Sequence, residues 1–327
     1  MTIGGKYLED WFPNIHLTDV SDWDREKWLG YRTKGIGCSE VGSVLNLNPY
    51  NSPAQVFHEK LGTIETEEVR NMAILMGNQL EDTVMNLWKH YEEGVKDSIV
   101  ENMNDGVIIR EAIKPNVYAR NPKYPWLFGG CDGIFEHNGE MAILEIKTIS
   151  SRTCDKYENG VPPYYICQVQ AYMMLFDCNY AELCMLVDGR DFKVVPFHRD
   201  EEFVTIINDK CSKFVDSIKA CQSNESLITD LEPQPEGDDA YKAFLKKRWS
   251  GSDQSVMQPS EELSDLCVEY FKAKAIMDEA TEGVNKVKHQ MQNIMGNHTE
   301  IDFPKDTYSV TWRKNKRGAR TFLIKEK

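Results

Sequence analysis

The sequence lacks the features that direct a protein into or across a membrane. No run of about 18 consecutive apolar residues occurs, so we expect no transmembrane helix. The opening segment MTIGGKYLED has no basic stretch followed by an apolar one, so we expect no signal peptide. The nine cysteines are scattered without any C-x-x-C pair, which indicates reduced thiols and argues against a zinc knuckle or an iron–sulfur cluster. These absences predict a cytoplasmic protein with no membrane partner.

Positive charge is also in short supply. The chain has 38 Lys and Arg against 52 Asp and Glu, a formal net charge of −14. Because phosphate binding draws on clustered cations, this balance on its own disfavours a partner as acidic as DNA. Net charge is nevertheless a sum over the whole surface, and a local basic groove together with bound metal ions could offset it. Composition therefore weakens a nucleic-acid function without excluding it.

The length and composition suit a large globular core with an appendage. The chain has 327 residues, of which 41% are hydrophobic and 28% charged, enough to bury a core. We place a first domain at residues 1–221 and, because residues 222–260 are rich in Ser, Asp, Gln, Pro and Gly, a linker there. Residues 261–327 are predicted to form an appendage of one long helix, with heptad-like apolar positions, and a β-hairpin.

Helices and strands alternate along the first domain. Apolar residues at helical spacing predict a long helix over residues 67–93 and a second helix over residues 166–176. Between them, HNGE at residues 137–140 is typical of a hairpin turn, and AILEIKT at residues 142–148 is rich in strand formers. We therefore predict an α/β (α+β) fold with a mixed central β-sheet flanked by helices.

The main chemical signal is a pair of acids with a lysine. Asp132 precedes a turn and Glu145 follows the hairpin, so two adjacent strands could bring both carboxylates together. Lys147 shares a strand face with Glu145 because side chains alternate along a strand. Phosphodiester hydrolysis needs carboxylates that hold hard cations and a group that orients or deprotonates water. The carbonyl of Ile146 would add one more oxygen.

A more ordinary interpretation stays open for these residues. A short D…E-x-K pattern occurs by chance in many soluble proteins, and alternating Glu and Lys usually mark a solvated strand face. Two observations favour a site: the other face of the strand is apolar, and a helix with Gln168 and Tyr172 one turn apart comes soon after it. Glu81 borders the apolar stripe of the long helix, where pairing with an arginine would explain it equally well.

Several motifs between about residue 25 and residue 180 occur in an order that identifies a family. They are Arg32 with GIGCSEV, then LNLNPYNSPAQVFHEKLG, MGNQLED, YPWLFGGCDGI, LEIKT and ICQVQAYM. In these motifs the sequence resembles the YqaJ-like viral recombinase nucleases, relatives of the phage lambda exonuclease among the PD-(D/E)XK enzymes. The resemblance implies a restriction-endonuclease-like core that digests one strand of linear duplex DNA from its 5′ end and leaves 3′ single-stranded overhangs for recombination by strand annealing.

Carried over position by position, the resemblance implies roles for the acidic cluster. Asp132 and Glu145 match metal ligands, and Lys147 matches the catalytic lysine. Glu81, in MGNQLED, matches a glutamate that assists at the metals. Gln168 matches an active-site glutamine near the nucleophile.

The resemblance also implies contacts with DNA. Arg32 and Ser39 match a pair that binds the 5′-terminal phosphate, and an Arg fork with a hydroxyl beside a helix N-terminus would suit an anion. Ile74 falls where the lambda enzyme places an apolar wedge between the last paired bases, although core packing explains it equally well. Tyr172 is predicted as a further DNA contact.

Cofactors and partners follow from the same resemblance. It implies two Mg²⁺ ions, for which Mn²⁺ can substitute, and double-stranded DNA ends as the substrate. It also implies a homo-oligomer such as a ring trimer, and a single-strand annealing protein of the RecT or Bet kind that receives the product strand. The setting would be a bacterium or a phage-infected host cell.

Two departures and two alternatives qualify the resemblance. Asp132 follows Gly-Cys in place of the family's usual small residue and Pro, which leaves the ligand itself intact. Residues 222–327 have no counterpart in the lambda enzyme, and their basic cluster (Arg313, Lys314, Lys316, Arg317 and Arg320) suits either a solvated hairpin or a DNA backbone contact. A RecB-family-like endonuclease, or a non-catalytic protein that binds DNA ends or a recombinase, would also fit the sequence.

Overall fold

Two compact units make up the chain. The computed structural model describes residues 2–3, 6–66, 70–95, 97–251, 254–303 and 307–326. The first unit is Met1–Gly251 and the second is Ser252–Lys327. In the part of the chain that the structure describes, no helix is both long enough and apolar enough to cross a bilayer.

The first unit contains two main sheets. A five-stranded sheet has the order β11-β10-β9-β8-β5, a four-stranded sheet has the order β3-β6-β7-β4, and β1 pairs with β2. The strands are β1 Thr2–Ile3, β2 Lys6–Tyr7, β3 His16–Asp19, β4 Ile36–Gly37, β5 Ala112–Ile113, β6 Val117–Arg120, β7 Leu127–Gly129, β8 Gly133–His137, β9 Glu140–Ile149, β10 Tyr180–Val187 and β11 Asp191–His198.

Side-chain caps begin most of the longer helices in this unit. Asp24, Ser52, Asn71, Asp200 and Asp238 each accept a hydrogen bond from a backbone N–H in the first turn that follows. The helices are α1 Leu8–Trp11, α2 Arg25–Arg32, α3 Val41–Val44, α4 Pro53–Leu61, α5 Met72–Lys89, α6 Ser98–Asp105, α7 Ser151–Cys154, α8 Pro163–Phe176, α9 Glu201–Ser223, α10 Ile228–Leu231 and α11 Asp239–Arg248, with 3₁₀ turns at Cys38–Glu40 and Glu225–Leu227. The long helix predicted from residue 67 therefore begins at Met72, and residues 67–69 lie outside the described residues.

The five-stranded sheet is mixed. Strands β8 and β9 form an antiparallel hairpin, and the turn between them has positive φ at Asn138 (54°) and Gly139 (83°), as an Asn-Gly hairpin turn requires. Strand β10 runs parallel to β9, with α8 in the crossover, and β11 returns antiparallel to β10. The predicted α/β fold class is confirmed, because a mixed central sheet is flanked by helices.

Strand β9 lies between two helical layers. Ile143 belongs to the larger core cluster, which contains the apolar residues of α8 and α9. Leu144 belongs to a second cluster with Val84 and Trp88 of α5. The alternation predicted for AILEIKT is therefore confirmed, and both faces of the strand are buried. A strand held in this way fixes the positions of the polar side chains it carries.

Much of the segment predicted as a linker over residues 222–260 is structured and belongs to the first unit. Helix α11 packs Tyr241 and Phe244 on Ala54 of α4. The ring of His58 stacks on Phe244, with ring centres 5.3 Å apart. Polar composition predicted a flexible stretch, but a few apolar residues at helical spacing are enough to dock this helix.

The second unit contains a long helix, α12 Glu261–Met295, followed by strands β12 Glu300–Ile301, β13 Tyr308–Lys314 and β14 Arg320–Glu326. Met295, Val310 and Phe322 form its small core. In the basic cluster, the Arg320 guanidinium lies 3.6 Å from the Trp312 ring centre and donates to the Gly296 carbonyl at 2.7 Å. Arg320 thus ties the hairpin to the end of the helix.

Candidate active site

Two acidic residues are brought together where β8 begins beside β9. Strand β8 starts at Gly133, which pairs with Leu144, so Asp132 comes level with the middle of β9. The N–H of Ile146 donates a hydrogen bond to Asp132 Oδ2 at 2.7 Å. Glu145, the preceding residue on β9, is only 1% exposed. The structure therefore brings the buried Glu145 and the half-buried Asp132 together.

One oxygen of Glu145 is heavily used and the other is unused. Lys147 donates from Nζ to Glu145 Oε1 at 2.5 Å, and Gln168 of α8 donates from Nε2 to the same oxygen at 2.7 Å. The second oxygen, Oε2, is buried and has no hydrogen-bond partner in the described part of the chain. A buried carboxylate oxygen without a partner is costly unless some further group binds there.

The charges of this cluster do not balance. Burial, together with repulsion from Asp132, raises the pKa of Glu145 to about 8. Burial likewise raises the pKa of Asp132. Burial disfavours the ammonium of Lys147, but attraction to Glu145 and Asp132 outweighs this effect and raises its pKa. When Glu145 is ionised, two carboxylates face one ammonium, and the site then favours additional positive charge.

The residues present fit a divalent cation. Carboxylate oxygens are the ligands that Mg²⁺ prefers, and the unpaired Glu145 Oε2 lies beside the Asp132 carboxylate. Among the described residues, no three His, Cys, Asp or Glu side chains are grouped closely enough to enclose an ion. Two carboxylates would therefore hold it, with water or substrate oxygens supplying the other ligands, as is usual for Mg²⁺. Ile146, predicted to contribute its carbonyl, lies next to Glu145 on β9 and binds Asp132 through its N–H.

Glu81 lies at the edge of this cluster. Its Oε1 is 2.7 Å from Nζ of Lys114, and the adjacent Asp82 shares the same lysine at 3.1 Å. It is near enough to Asp132 for repulsion to raise the pKa of that group. The alternative that Glu81 forms an ion pair therefore describes its contact, although the partner is Lys114 and not an arginine.

Tyr172 lies behind the cluster and does not face solvent. It is 5% exposed, its hydroxyl donates to the Gly130 carbonyl at 2.9 Å, and the same hydroxyl accepts from Gln168 Nε2 at 3.2 Å. The predicted DNA contact is therefore corrected, because a hydroxyl enclosed in this way cannot reach a backbone phosphate. Its contacts instead fix Gln168, which in turn fixes Glu145.

A second charged cluster surrounds Arg32, the last residue of α2. Arg32 forms an ion pair with Glu40, and Glu40 Oε2 also accepts from Lys60 Nζ at 2.7 Å and from the Gly37 N–H at 2.7 Å. Burial would raise the pKa of Glu40, but attraction to Lys60 and Arg32 outweighs it and holds that pKa below its usual value. The Arg32 guanidinium also lies 4.6 Å from the ring centre of Trp28. Arg32 is thus held in one orientation.

The cluster opens into a cavity. It has a volume of about 770 Å³, and Arg32, Trp28, Glu40 and Lys60 are among its lining residues. Its charged lining residues are three cations and four carboxylates, Arg25, Arg32, Lys60, Glu26, Glu40, Glu59 and Glu65. An anionic group would therefore be bound there by the local donors Arg32 and Lys60 and not by a net positive charge of the cavity.

The other predicted DNA-contacting residues, Ser39 and Ile74, are exposed. Ser39 is exposed, and no hydrogen bond between described residues links it to Arg32. Ser39 lies inside the 3₁₀ turn Cys38–Glu40, close to the N-terminus of α3 as expected, but it does not cap that helix, because Glu40 is the residue before it. Ile74, in the first turn of α5, is 44% exposed, so core packing does not explain it.

Glu40 and Lys60 are site residues that sequence reasoning missed. Each is a charged residue within an apolar segment, GIGCSEV for Glu40 and AQVFHEKLG for Lys60, and both are buried. Charged residues are almost never buried unless they are paired. That pattern could have indicated an internal ion pair, although not which residues form it.

Several known proteins are similar to this chain. Residues 27–179 match the family model of the YqaJ-like viral recombinase domain, so the resemblance predicted from the motifs is confirmed there. The uncharacterized protein YqaJ of Bacillus subtilis (strain 168) is 25% identical over 335 residues, covering 95% of this chain and 97% of that protein.

Similar solved structures include exonucleases. An alkaline exonuclease, LHK-Exo, from Laribacter hongkongensis has a TM-score of 0.45 and 17% identity, covering 63% of this chain and 98% of its own. A phage related exonuclease from Haemophilus somnus 129PT has a TM-score of 0.38 and 14% identity, and the match covers 62% of this chain and 99% of that protein.

Proposed function

We propose that this chain, whose residues 27–179 match the YqaJ-like viral recombinase domain, is a Mg²⁺-dependent 5′-to-3′ exonuclease that digests one strand of linear duplex DNA. The product would be a 3′ single-stranded overhang for an annealing protein of the RecT or Bet kind. Asp132, Glu145 and Lys147 would form the reaction centre, and the cavity beside Arg32 would receive the 5′-phosphate.

One observation carries the proposal: a buried carboxylate oxygen with no partner, in a cluster with surplus negative charge. A purely structural ion pair would be neutral or fully hydrogen-bonded, because an unpaired buried charge is destabilising. Glu145 Oε2 receives no hydrogen bond, and burial with repulsion from Asp132 raises the pKa of Glu145 to about 8, so its ionised form needs a further cation. Strongly shifted pKa values with a specific charge partner are typical of functional sites.

The side chains have separable tasks in phosphodiester hydrolysis. A divalent cation held by Asp132 and Glu145 would offset charge on the scissile phosphate and lower the pKa of a water molecule. Lys147 is protonated at neutral pH because its pKa is raised, so it acts as a donor that orients water or the phosphate and not as a general base. Gln168 holds Glu145 Oε1, which keeps Oε2 directed away from Lys147.

The cavity supports an enzyme that begins at DNA ends. A terminal phosphate carries more charge than an internal diester, and a fixed guanidinium recognises it by charge-assisted hydrogen bonds. Glu40 would repel an anion, but Lys60 offsets it. The exposed apolar side chain of Ile74 is suited to contact a base pair at the end of the duplex.

Degradation of a linear duplex labelled at either end of one strand tests the proposal. With Mg²⁺ we expect a 5′ label to be released early as small product and a 3′ label to stay on a shortening strand, with no release in EDTA. Early release of the 3′ label alone would contradict the polarity. A covalently closed duplex is the control, and its cleavage at a comparable rate would indicate the RecB-family-like endonuclease. Binding of ends without any cleavage would indicate the non-catalytic alternative.

A further inference from the structure

Helix α12 carries an unbroken heptad pattern of apolar residues. Spacings of three and four residues alternate through five heptads, which is the signature of a coiled-coil seam. The a positions are Leu263, Tyr270, Met277, Val284 and Met291, and the d positions are Leu266, Ala273, Ala280, Val287 and Ile294. All ten are apolar, so the pattern is continuous along the 35 residues of the helix.

Most of this seam is exposed. From Leu263 to Val287 every a and d residue is exposed, the large ones between 41% and 67%. Near the C-terminal end of the helix, Met291 packs against the core of the second unit. A helix of this length extends about 52 Å, at 1.5 Å per residue. Soluble proteins rarely leave an apolar stripe of that length uncovered unless a partner covers it.

The flanking charges indicate which partner fits. In a parallel, in-register pair, each g residue faces the next e residue of the other helix. Glu269 then faces Lys274 of the second copy, and Lys288 faces the uncharged Gly283. No like charges meet at these positions. In an antiparallel pair that sets Leu266 opposite Met291, Lys274 would instead face the uncharged Thr281 of the second copy, so the attraction to Glu269 would be absent.

We propose that α12 is a self-association helix that forms a parallel, in-register two-stranded coiled coil with the α12 of a second copy of this chain. The small residues Ala273 and Ala280 at d positions allow close approach of the two helices in the middle of the seam. The association would join two first units without using any residue of the candidate active site.

Two valines on the same helix provide a matched test. Val287 lies on the seam and is 55% exposed, whereas Val268 lies at an f position and is 53% exposed. Both are changed to glutamate in the full-length chain, so helix propensity changes equally. We expect Val287→Glu to weaken association at least about 100-fold, because two valines leave the interface and two like charges enter it. Val268→Glu should associate like the wild type.

Light scattering over a concentration series measures the difference between the two variants. Any association through the first unit is common to both, so it cancels. If Val287→Glu and the wild type have equal mass at every concentration, the proposal is overturned. Equal loss of association in both variants also overturns it, because the seam is then not specific. Circular dichroism checks that α12 remains helical in each variant.

Cysteine cross-linking tests the orientation. Cys267, the exposed free thiol among the described residues, is first changed to serine. In that background, Leu266→Cys places two thiols opposite each other only in the parallel arrangement, and mild oxidation should give a covalent dimer. If it does not, and the double variant Leu266→Cys with Met291→Cys cross-links instead, the helices are antiparallel and the proposal is overturned.

Discussion

Two charged clusters of the first unit, around Glu145 and around Glu40, have opposite composition. Around Glu145, two carboxylates face one lysine, and an oxygen is left without a partner. Around Glu40, two cations face one carboxylate, and each oxygen of Glu40 has a partner. The formal charges are thus −1 at the first cluster and +1 at the second. The same types of side chain prepare one site for a cation and the other for an anion.

The two glutamates respond to these surroundings in opposite directions. Both are buried, and burial raises the pKa of a carboxyl group. At Glu145, repulsion from Asp132 adds to burial and the pKa rises to about 8. At Glu40, attraction to Lys60 and Arg32 outweighs burial and the pKa falls. Neighbouring charge, more than burial, therefore decides which cluster is stable alone and which needs a ligand.

Removal of the lysine from the first cluster should have the largest effect. We expect Lys147→Ala to lower the rate of cleavage at least about 1,000-fold, because a positioned donor at the reacting water is lost. Binding to duplex ends should stay within about threefold of the wild type, since Arg32 and the cavity remain. Single-turnover cleavage and fluorescence anisotropy measure the two quantities. Lys156→Ala, an exposed lysine, is the control. Full activity of Lys147→Ala would remove the distinction between the clusters.

Removal of a lysine from the second cluster should instead affect stability. Burial lowers the pKa of Lys60, and attraction to Glu40 partly offsets this effect. The buried ammonium of Lys60 is therefore stabilised by its ion pair with Glu40. We expect Lys60→Met to lower the free energy of unfolding by about 3 kcal/mol, because Glu40 loses a buried cation. Urea denaturation measures the loss. In a Lys60→Met, Glu40→Gln double variant most of it should be recovered, and an unchanged loss would show that packing and not charge is responsible.

The pH dependence of stability should have opposite sign at the two glutamates. Without metal, between pH 4.5 and about 8, Glu145 is protonated in the folded chain and ionised in the unfolded chain. The contribution of Glu145 to stability therefore falls as pH rises through this window. Glu40, with a lowered pKa, contributes stability above its unfolded pKa that is lost as pH falls. We expect Glu145→Gln to gain a few kcal/mol relative to the wild type between pH 5 and about 8.

Denaturation in EDTA at several pH values measures this difference. Glu136→Gln, an exposed glutamate on β8, is the control and should follow the wild type. Mg²⁺ should reduce the advantage of Glu145→Gln, because a cation stabilises the ionised carboxylate. A constant difference across the whole pH range would contradict the raised pKa.

Local sequence patterns predicted the cluster around Glu145 well. HNGE predicted the hairpin that brings Asp132 level with Glu145, and the alternation of AILEIKT predicted which side chains share a face. The helix that supplies Gln168 followed from its apolar spacing. All of these signals act over a few residues. The sequence could not indicate that Tyr172 is buried, because that depends on its hydroxyl meeting the Gly130 carbonyl 42 residues earlier.

The cluster around Glu40 was predicted only in part, for the same reason. Arg32 entered through a motif, but its partner Glu40 and the third member Lys60 depend on how α2, the 3₁₀ turn and α4 pack. Helix α11 was also missed, since its polar surface resembles a linker and its docking depends on Ala54 of α4. Tertiary contacts between segments far apart in the sequence carry no local period.

The smallest effect that we expect separates the Arg32 pocket from the reaction centre. Arg32→Ala should remove the advantage of a 5′-phosphorylated end over a 5′-hydroxyl end, a change of about tenfold, because charge-assisted hydrogen bonds to the terminal phosphate are lost. The rate on the hydroxyl end should be nearly unchanged, since Asp132, Glu145 and Lys147 stay in place. Arg32→Lys should show an intermediate preference, because it keeps the charge but loses the planar fork.

The ratio of initial rates on the two ends, in one buffer with Mg²⁺, measures this preference. Lys34→Ala removes an exposed cation two residues away and should leave the ratio unchanged. If Arg32→Ala keeps the wild-type ratio, the positive cluster is a structural ion pair and not the 5′-phosphate site. If it lowers the rate on both ends equally, Arg32 supports the fold near the reaction centre, and the two clusters are then coupled and not independent.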